Sequence, residues 1–288
     1  MLFLYNFAKD TNYIAYRQKK TIFVTIIDPD MKALVLHWSV DPVLCQVAGT
    51  EIRWYSLLFL SSLLWAWFFA RWVSTREHIS SEVSVPLVFW LLVGFYAGGK
   101  IGNHFFYATE SFKGFSSFGA AIGMFLTAWI FCATSGRRHG ISFLWLLDRV
   151  LVCGLFGAVP VRIGNFFNSE LYGTPTDLPW GVIFERTADL QPRHPVQLYE
   201  AMLFIILFGV IFLIYLRRSN RLPDGFIAGV AIVAASIIRF MTEFVKESSR
   251  NIDFGQFTLH TAQVLCIPLF LFGAGILFLT VRRKREMK

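Results

Sequence analysis

An all-α, polytopic membrane protein of about seven transmembrane helices is the fold class this sequence predicts, and three observations predict it. Hydrophobic residues make up 55% of the 288-residue chain, mean hydropathy is +0.54, and only 16% of residues are charged. A water-soluble protein of that composition would leave too much apolar surface exposed. Several apolar runs reach the roughly 20 residues needed to cross a hydrocarbon core. The basic residues also collect in short connections between those runs. That placement suits membrane orientation and anionic lipid rather than nucleic acid, despite a formal charge of +8.

Taken in order, the spans are 55–73, 86–107, 118–133, 141–161, 196–216, 226–244 and 262–281. The third is short for a full crossing and is expected to be partly buried in the bundle. Residues 1–30 are largely polar, have no ordinary signal-peptide form and match nothing later in the chain. They are read as a doubtful N-terminal extension with Met31 as the true start, and 31–288 as a single membrane-embedded domain without internal repeats.

Arg71 and Arg76 follow the first span, Arg137 and Arg138 the third, Arg217, Arg218 and Arg221 the fifth, and Arg282, Arg283, Lys284, Arg285 and Lys288 the seventh. The positive-inside bias makes those four regions cytoplasmic, which places the N-terminus outside and the C-terminus in the cytoplasm. Trp54, Trp72, Trp90, Trp129 and Trp145 fall near span ends as an aromatic belt, whereas Trp65 and Trp67 lie deeper and are expected to pack. Gly94, Gly98 and Gly102 in the second span, and Gly119 and Gly123 in the third, have the four-residue spacing that lets helices approach closely. Cys45, Cys132, Cys153 and Cys266 lie far apart, with neither metal-ligand nor disulfide spacing. No metal, nucleotide or other cofactor site is evident.

Few polar residues lodge in the apolar runs. They are Tyr55, Lys100, Asp148, Arg149, Arg239 and Glu243, with the segment from Arg193 to Glu200 opening the fifth span. Residues 162–173 stand where the fourth span meets water. Arg162, Asn165 and Asn168 are spaced i, i+3, i+6 and share roughly one face if helical, with Glu170 close behind. A cation, two amides and a carboxylate at the edge of hydrocarbon are costly unless something polar binds there. The alternative is that Arg162 snorkels to the interface and the amides cap a helix. Arg239 and Glu243 stand i, i+4 and can pair, which is a structural role if nothing else joins them. Arginines on two helices with carboxylates nearby nevertheless predict a convergent polar cavity. Guanidinium groups match phosphate oxygens with two parallel hydrogen bonds, so the cavity suits a phospholipid head group.

These residues carry a resemblance. Arg162-Ile-Gly-Asn-Phe-Phe-Asn-Ser-Glu-Leu-Tyr-Gly resembles the defining segment of the prolipoprotein diacylglyceryl transferases. Matching stretches run in family order from Arg53-Trp-Tyr-Ser-Leu-Leu through Gly98-Gly-Lys-Ile-Gly, Phe118-Gly-Ala-Ala-Ile-Gly, Leu178-Pro-Trp-Gly-Val-Ile-Phe and Arg193-His-Pro-Val-Gln-Leu-Tyr-Glu. Arg239-Phe-Met-Thr-Glu-Phe and Gln263-Val-Leu-Cys-Ile-Pro complete the set. The resemblance implies a seven-span enzyme of the bacterial inner membrane. It would move the diacylglyceryl group of phosphatidylglycerol onto the lipobox cysteine thiol of a preprolipoprotein, releasing glycerol phosphate. It further implies that Tyr55, Arg162, Asn165, Glu170, Arg239 and Glu243 serve lipid binding or catalysis. Asn168, Lys100, His194 and Tyr199 are taken as further substrate contacts.

One departure matters. Phe118 stands where the family usually has a histidine proposed to accept the thiol proton, and Phe118 has no atom that can do so. Lys100 stands where arginine is common, which keeps the charge but loses the bidentate geometry. His104, one turn beyond Lys100, and His194 are the candidate substitutes for the base. In the expected mechanism Arg162 and Arg239 clamp the phosphate, Asn165 and Asn168 orient the head group, and Glu170 and Glu243 hold the arginines. Thiolate is the nucleophile, and cations lower thiol pKa even without a dedicated base. The alternatives are a non-catalytic relative that binds phosphatidylglycerol or prolipoproteins, and a small-anion transporter. The transporter lacks support, because the two halves show no matching broken-helix pattern.

Overall fold

A bilayer core offers no water to backbone amides, so an apolar run that crosses it must satisfy its hydrogen bonds internally and becomes a helix. The computed structural model describes residues 24–25, 36–47, 49–107, 114–187, 189–218, 221–247, 251–255 and 258–286. Among them, seven helices are long and apolar enough to span a membrane. They are α1 (Trp54–Arg76), α2 (Ser81–Tyr107), α3 (Ser117–Phe131), α4 (Phe143–Phe167), α5 (Val196–Arg218), α6 (Phe226–Thr242) and α7 (Thr261–Glu286). The third span is longer than expected. A π turn, Cys132–Gly136, carries α3 on to a continuous 20 residues, which is a crossing length.

Helix starts are fixed by side chains the apolar pattern does not reveal. Ser116 accepts from Gly119 N at 3.1 Å to cap α3, and Ser142 accepts from Trp145 N at 3.1 Å to cap α4. The start of α6 is capped from another helix. Asp148 on α4 accepts from Gly225 N at 2.9 Å and Ala228 N at 2.7 Å, which accounts for a carboxylate buried in the fourth span. Its neighbour Arg149 forms a two-bond pair with Glu77 at 3.2 and 2.7 Å, closing α4 onto the end of α1.

Packing follows the small residues. Helices α2 and α3 run against each other along their glycines. A Cβ on Gly102 would lie 2.5 Å from Gly119 Cα, and one on Gly98 would lie 2.8 Å from Gly123 Cα, so no larger side chain fits this crossing. Helices α1, α4, α5 and α6 enclose the main apolar core, centred on Phe69, Val152, Phe204, Ile211 and Tyr215. Trp65 joins it, and its indole donates to Cys153 O at 3.1 Å. Trp67 does not pack as expected. It is 42% exposed on the outer face, because residues two apart on a helix point in nearly opposite directions.

The basic connections gather at one end of the bundle. There Arg76 donates to Leu216 O at 3.3 Å, Ser142 to Asp224 at 2.9 Å and Lys284 to Arg221 O at 3.0 Å. The other end carries short strands that the sequence reading did not include. Strands β1 (Val24–Thr25), β2 (Leu36–Trp38), β5 (Val182–Phe184) and β6 (Pro192–Arg193) form one sheet in that order, with β2 parallel to β5. Hairpin β3–β4 (Val43–Val47, Thr50–Arg53) leads into α1, and hairpin β7–β8 (Asn251–Asp253, Thr258–His260) leads into α7. Of the proposed extension 1–30, all but Val24 and Thr25 lies outside the described residues. Beneath the sheet, Trp38 packs tilted and Phe184 edge-on against Phe166 near the last turn of α4, with the Trp38 and Phe166 rings 4.3 Å apart, which anchors that end of the helix.

Candidate active site

Helix α4 runs six residues past the expected boundary, so Arg162 and Asn165 are helical and Asn168 is the C-cap. The chain then turns sharply. Ser169 N donates to Phe166 O at 3.0 Å and Glu170 N to Asn165 O at 3.1 Å, the bond pattern of a Schellman cap. Ser169 takes the left-handed position usually given to glycine, with φ 53°, and Leu171 follows with φ 59°. This strained double turn swings Glu170 back over the helix end. There its Oε1 accepts from Asn165 Nδ2 at 2.8 Å and Asn168 Nδ2 at 3.2 Å. Glu170 therefore serves the two amides and, among the described residues, pairs with no arginine, contrary to expectation, because the turn beyond the helix end directs it back onto the amides.

The arginines are held by a different carboxylate. Glu200, on the second turn of α5, is 1% exposed. Its Oε2 lies 2.9 Å from Arg162 Nε, and its Oε1 accepts from Arg239 Nη1 and, at 3.2 Å, from Thr242 Oγ1. Arg239 Nη1 also pairs with Glu243 Oε2 at 2.9 Å, the expected i, i+4 contact, and His260 Nδ1 stands 3.7 Å from Glu243 Oε1. A third basic side chain closes the group, with Lys246 Nζ 3.7 Å from Glu200 Oε1. Helices α4, α5 and α6 and the turn after α6 thus bring two guanidiniums and a lysine around one carboxylate. The arginine side chains are only 12% and 14% exposed. Such a cluster is expensive to desolvate and is held only because its members neutralise one another.

The polar face of Arg162 extends sideways. Its Nη1 reaches Asn165 Oδ1 at 3.4 Å, and Nη2 has no hydrogen-bond partner among the described residues. Tyr55 on α1 packs its ring against the backbone of Gly164, two residues from Arg162. A Cβ on Gly164 would lie 2.8 Å from Tyr55 Cδ2. Gln197 on α5 donates to Glu170 O at 2.7 Å and ties the turn to that helix. Above the cluster, Gly173 pairs with Lys246 as an isolated antiparallel bridge, and a Cβ there would lie 2.5 Å from His194 Cβ. His194 Nδ1 lies 3.3 Å from Tyr199 OH, which accepts from Trp180 Nε1 at 2.8 Å. Lys100 lies on α2, where it donates to Gly114 O at 3.4 Å and sits over the Tyr96 ring. His104 is exposed on the same helix.

Electrostatics distinguish the groups at the water-side rim. Burial, with the Arg239 guanidinium next and Arg162 behind it, pushes the Lys246 ammonium down to about 7, which the nearby glutamates only partly oppose. Burial lowers the His194 imidazole. The hydrogen bond from Arg193 holds the Asp189 carboxyl below its ordinary range. Arg193 in turn bonds Gly173 O at 3.1 Å and Glu247 at 3.0 Å, bracing the connection over the site.

Sequence reasoning singled out the segment from Arg193 to Glu200 but gave Gln197 and Glu200 no role, and it missed Lys246 and His260. The signal for Glu200 was present, since a carboxylate inside an apolar run calls for a partner. Spacing along a single helix gives no hint that its partners stand on two others.

The family model for prolipoprotein diacylglyceryl transferase matches residues 42–279 of the chain. Among curated relatives, a phosphatidylglycerol–prolipoprotein diacylglyceryl transferase of Pseudomonas fluorescens is 34% identical over 273 residues, covering 86% of this chain and 96% of the relative. One of Azotobacter vinelandii is 33% identical over 264 residues, covering 86% and 97%. One of Bacteroides fragilis is 29% identical over 276 residues, covering 87% and 97%.

Proposed function

Since the chain belongs to the prolipoprotein diacylglyceryl transferase family, we propose that it moves the diacylglyceryl group of phosphatidylglycerol onto the lipobox cysteine thiol of preprolipoproteins and releases glycerol phosphate. It is a multi-pass protein of a bacterial membrane. The observation that carries the reading is the convergence of Arg162 and Arg239, from separate helices, on the single buried carboxylate of Glu200. Two guanidiniums fixed in this way need no reorganisation to meet a phosphodiester, and they stabilise charge as it develops on the leaving phosphate. Asn165 and Asn168 orient the head group, while Glu200 and Glu243 keep the arginines in place. Glu170 holds the two amides in position. Tyr55, Lys100, His194 and Tyr199 contact the remaining substrate.

The basic end of the bundle faces the cytoplasm under the positive-inside bias, with the C-terminus there and the N-terminus outside. The arginine cluster then lies toward the outer side of the inner membrane, where a lipobox cysteine emerges after export. The test uses purified protein, phosphatidylglycerol and a lipobox peptide, with the peptide weighed by mass spectrometry. A gain of one diacylglyceryl mass is expected. An unchanged peptide from protein that still retains the lipid would overturn the enzyme reading in favour of a binding protein, and anion uptake into liposomes with neither result would indicate a transporter.

A further inference from the structure

The transfer needs a thiolate, and a cysteine thiol of ordinary pKa, about 8.5, is mostly protonated at neutral pH. Phe118, in the first turn of α3, offers no proton acceptor. Within the cluster most candidates are committed. Arginine does not give up its proton in proteins. Glu200 is taken by Arg162, Arg239 and Thr242, Glu243 by Arg239 with His260 behind it, and Glu170 by the amides of Asn165 and Asn168.

Lys246 differs from all of these. It is 4% exposed, yet no acceptor lies within hydrogen-bond distance of its Nζ among the described residues, the 3.7 Å approach to Glu200 being too long for one. A buried ammonium beside two guanidiniums, with its nearest carboxylate oxygen 3.7 Å away, is costly, so the site favours the neutral amine more than water does. Its position is fixed from two sides. Its backbone bridges Gly173 on the segment that follows α4, and Lys246 N donates to Glu243 O at 3.3 Å at the end of α6.

Resting on the transferase reading above, we infer that Lys246 Nζ is the group that accepts the proton of the acceptor cysteine thiol in this chain. The proton passes from Sγ to Nζ, and the thiolate attacks the glyceryl carbon that bears the phosphate. The C–S bond forms as the C–O bond breaks, and its electron pair leaves on the phosphate oxygen of glycerol phosphate. The lysinium then returns its proton to the departing phosphate or to water.

The neighbours suit the step. Arg162 from α4 and Arg239 from α6 disfavour the charged amine in the lipid-free site, while Glu200 from α5 and Glu243 favour it, and burial tips the balance to about 7. An arriving phosphodiester offsets the guanidinium charge and makes the amine a stronger acceptor when the thiol needs one.

The experiment is a pH–rate profile of kcat/KM for a lipobox peptide, using the full-length protein in phosphatidylglycerol-containing nanodiscs. The expected wild-type profile has a limb that breaks near pH 7. Lys246→Arg keeps a basic side chain facing Glu200 but cannot accept a proton. It should lose about 100-fold or more in rate. Its profile should climb without a break toward the thiol's own pKa of about 8.5, with phosphatidylglycerol retention unchanged. A Lys246→Arg protein within about threefold of wild type and still breaking near pH 7 overturns the inference, the threefold margin being small against the 100-fold expected of a lost base. So does an active wild type with no break there, which needs no variant. A wild type that transfers nothing at any pH refutes the transferase reading, and this inference with it.

Discussion

Replacing Glu200 with glutamine tests how the cationic cluster is held. Gln keeps the shape and one acceptor oxygen but removes a charge that Arg162 at 2.9 Å, Arg239 and Lys246 at 3.7 Å share. Removing one partner of a buried ion pair costs about 3–5 kcal/mol, because the other charge stays buried and uncompensated. Here the two guanidiniums, 12% and 14% exposed, have little water to turn to, and only Arg239 keeps Glu243 at 2.9 Å. The melting temperature in detergent should therefore fall on the order of 10 °C. Anionic lipid can supply the missing charge, so phosphatidylglycerol should raise the melting temperature of Glu200→Gln by more than it raises that of wild type, while phosphatidylethanolamine should not. Thermal unfolding followed with and without each lipid reads both effects. A variant that melts with wild type and gains nothing from phosphatidylglycerol would refute the reasoning.

Other perturbations separate structure from site. Gly98→Ala forces a methyl to within 2.8 Å of Gly123 Cα on α3 and should cost about 1–3 kcal/mol, visible as a lower melting temperature. Ser169→Gly relieves the left-handed strain at φ 53° and should raise stability by up to about 1 kcal/mol; no gain would argue against strain in the cap. Asp189, whose carboxyl is held below its ordinary range by Arg193, stabilises the fold above the unfolded carboxyl pKa of about 3.8, and that contribution disappears as pH falls through the lower folded value. Asp189→Asn should accordingly be less stable than wild type at pH 6 and converge with it in strong acid. Phe118→His should raise turnover if a second proton acceptor near the start of α3 assists the thiol, as initial rates of peptide modification would reveal.

Much of the bundle was legible because hydrocarbon leaves the backbone so few options. Apolar length located all seven helices, and the glycine spacing located the α2–α3 crossing. The Arg239–Glu243 pair was readable since both ends lie on one helical turn. Contacts between helices were not. Asp148 stood out only as a polar residue in an apolar run, and nothing along its own helix shows that it caps α6; Glu170 lost its expected arginines to Glu200. The strands at the end opposite the basic connections are two to five residues long, too short for alternation to announce them, and residue 67 faced outward because a two-residue step crosses the helix. Ser169 in a left-handed cap could not be foreseen, because glycine is the residue that marks such a turn.

The claim beneath all of this is that Arg162 and Arg239 are kept in the bundle to grip the phosphate of an anionic lipid. Binding of phosphatidylglycerol, measured by native mass spectrometry on wild type, Arg162→Ala and Arg239→Ala with a zwitterionic lipid as reference, addresses it directly. Wild type should retain phosphatidylglycerol in preference to the zwitterionic lipid, and either alanine variant should lose that preference while remaining folded. Undiminished retention by both folded variants would contradict it.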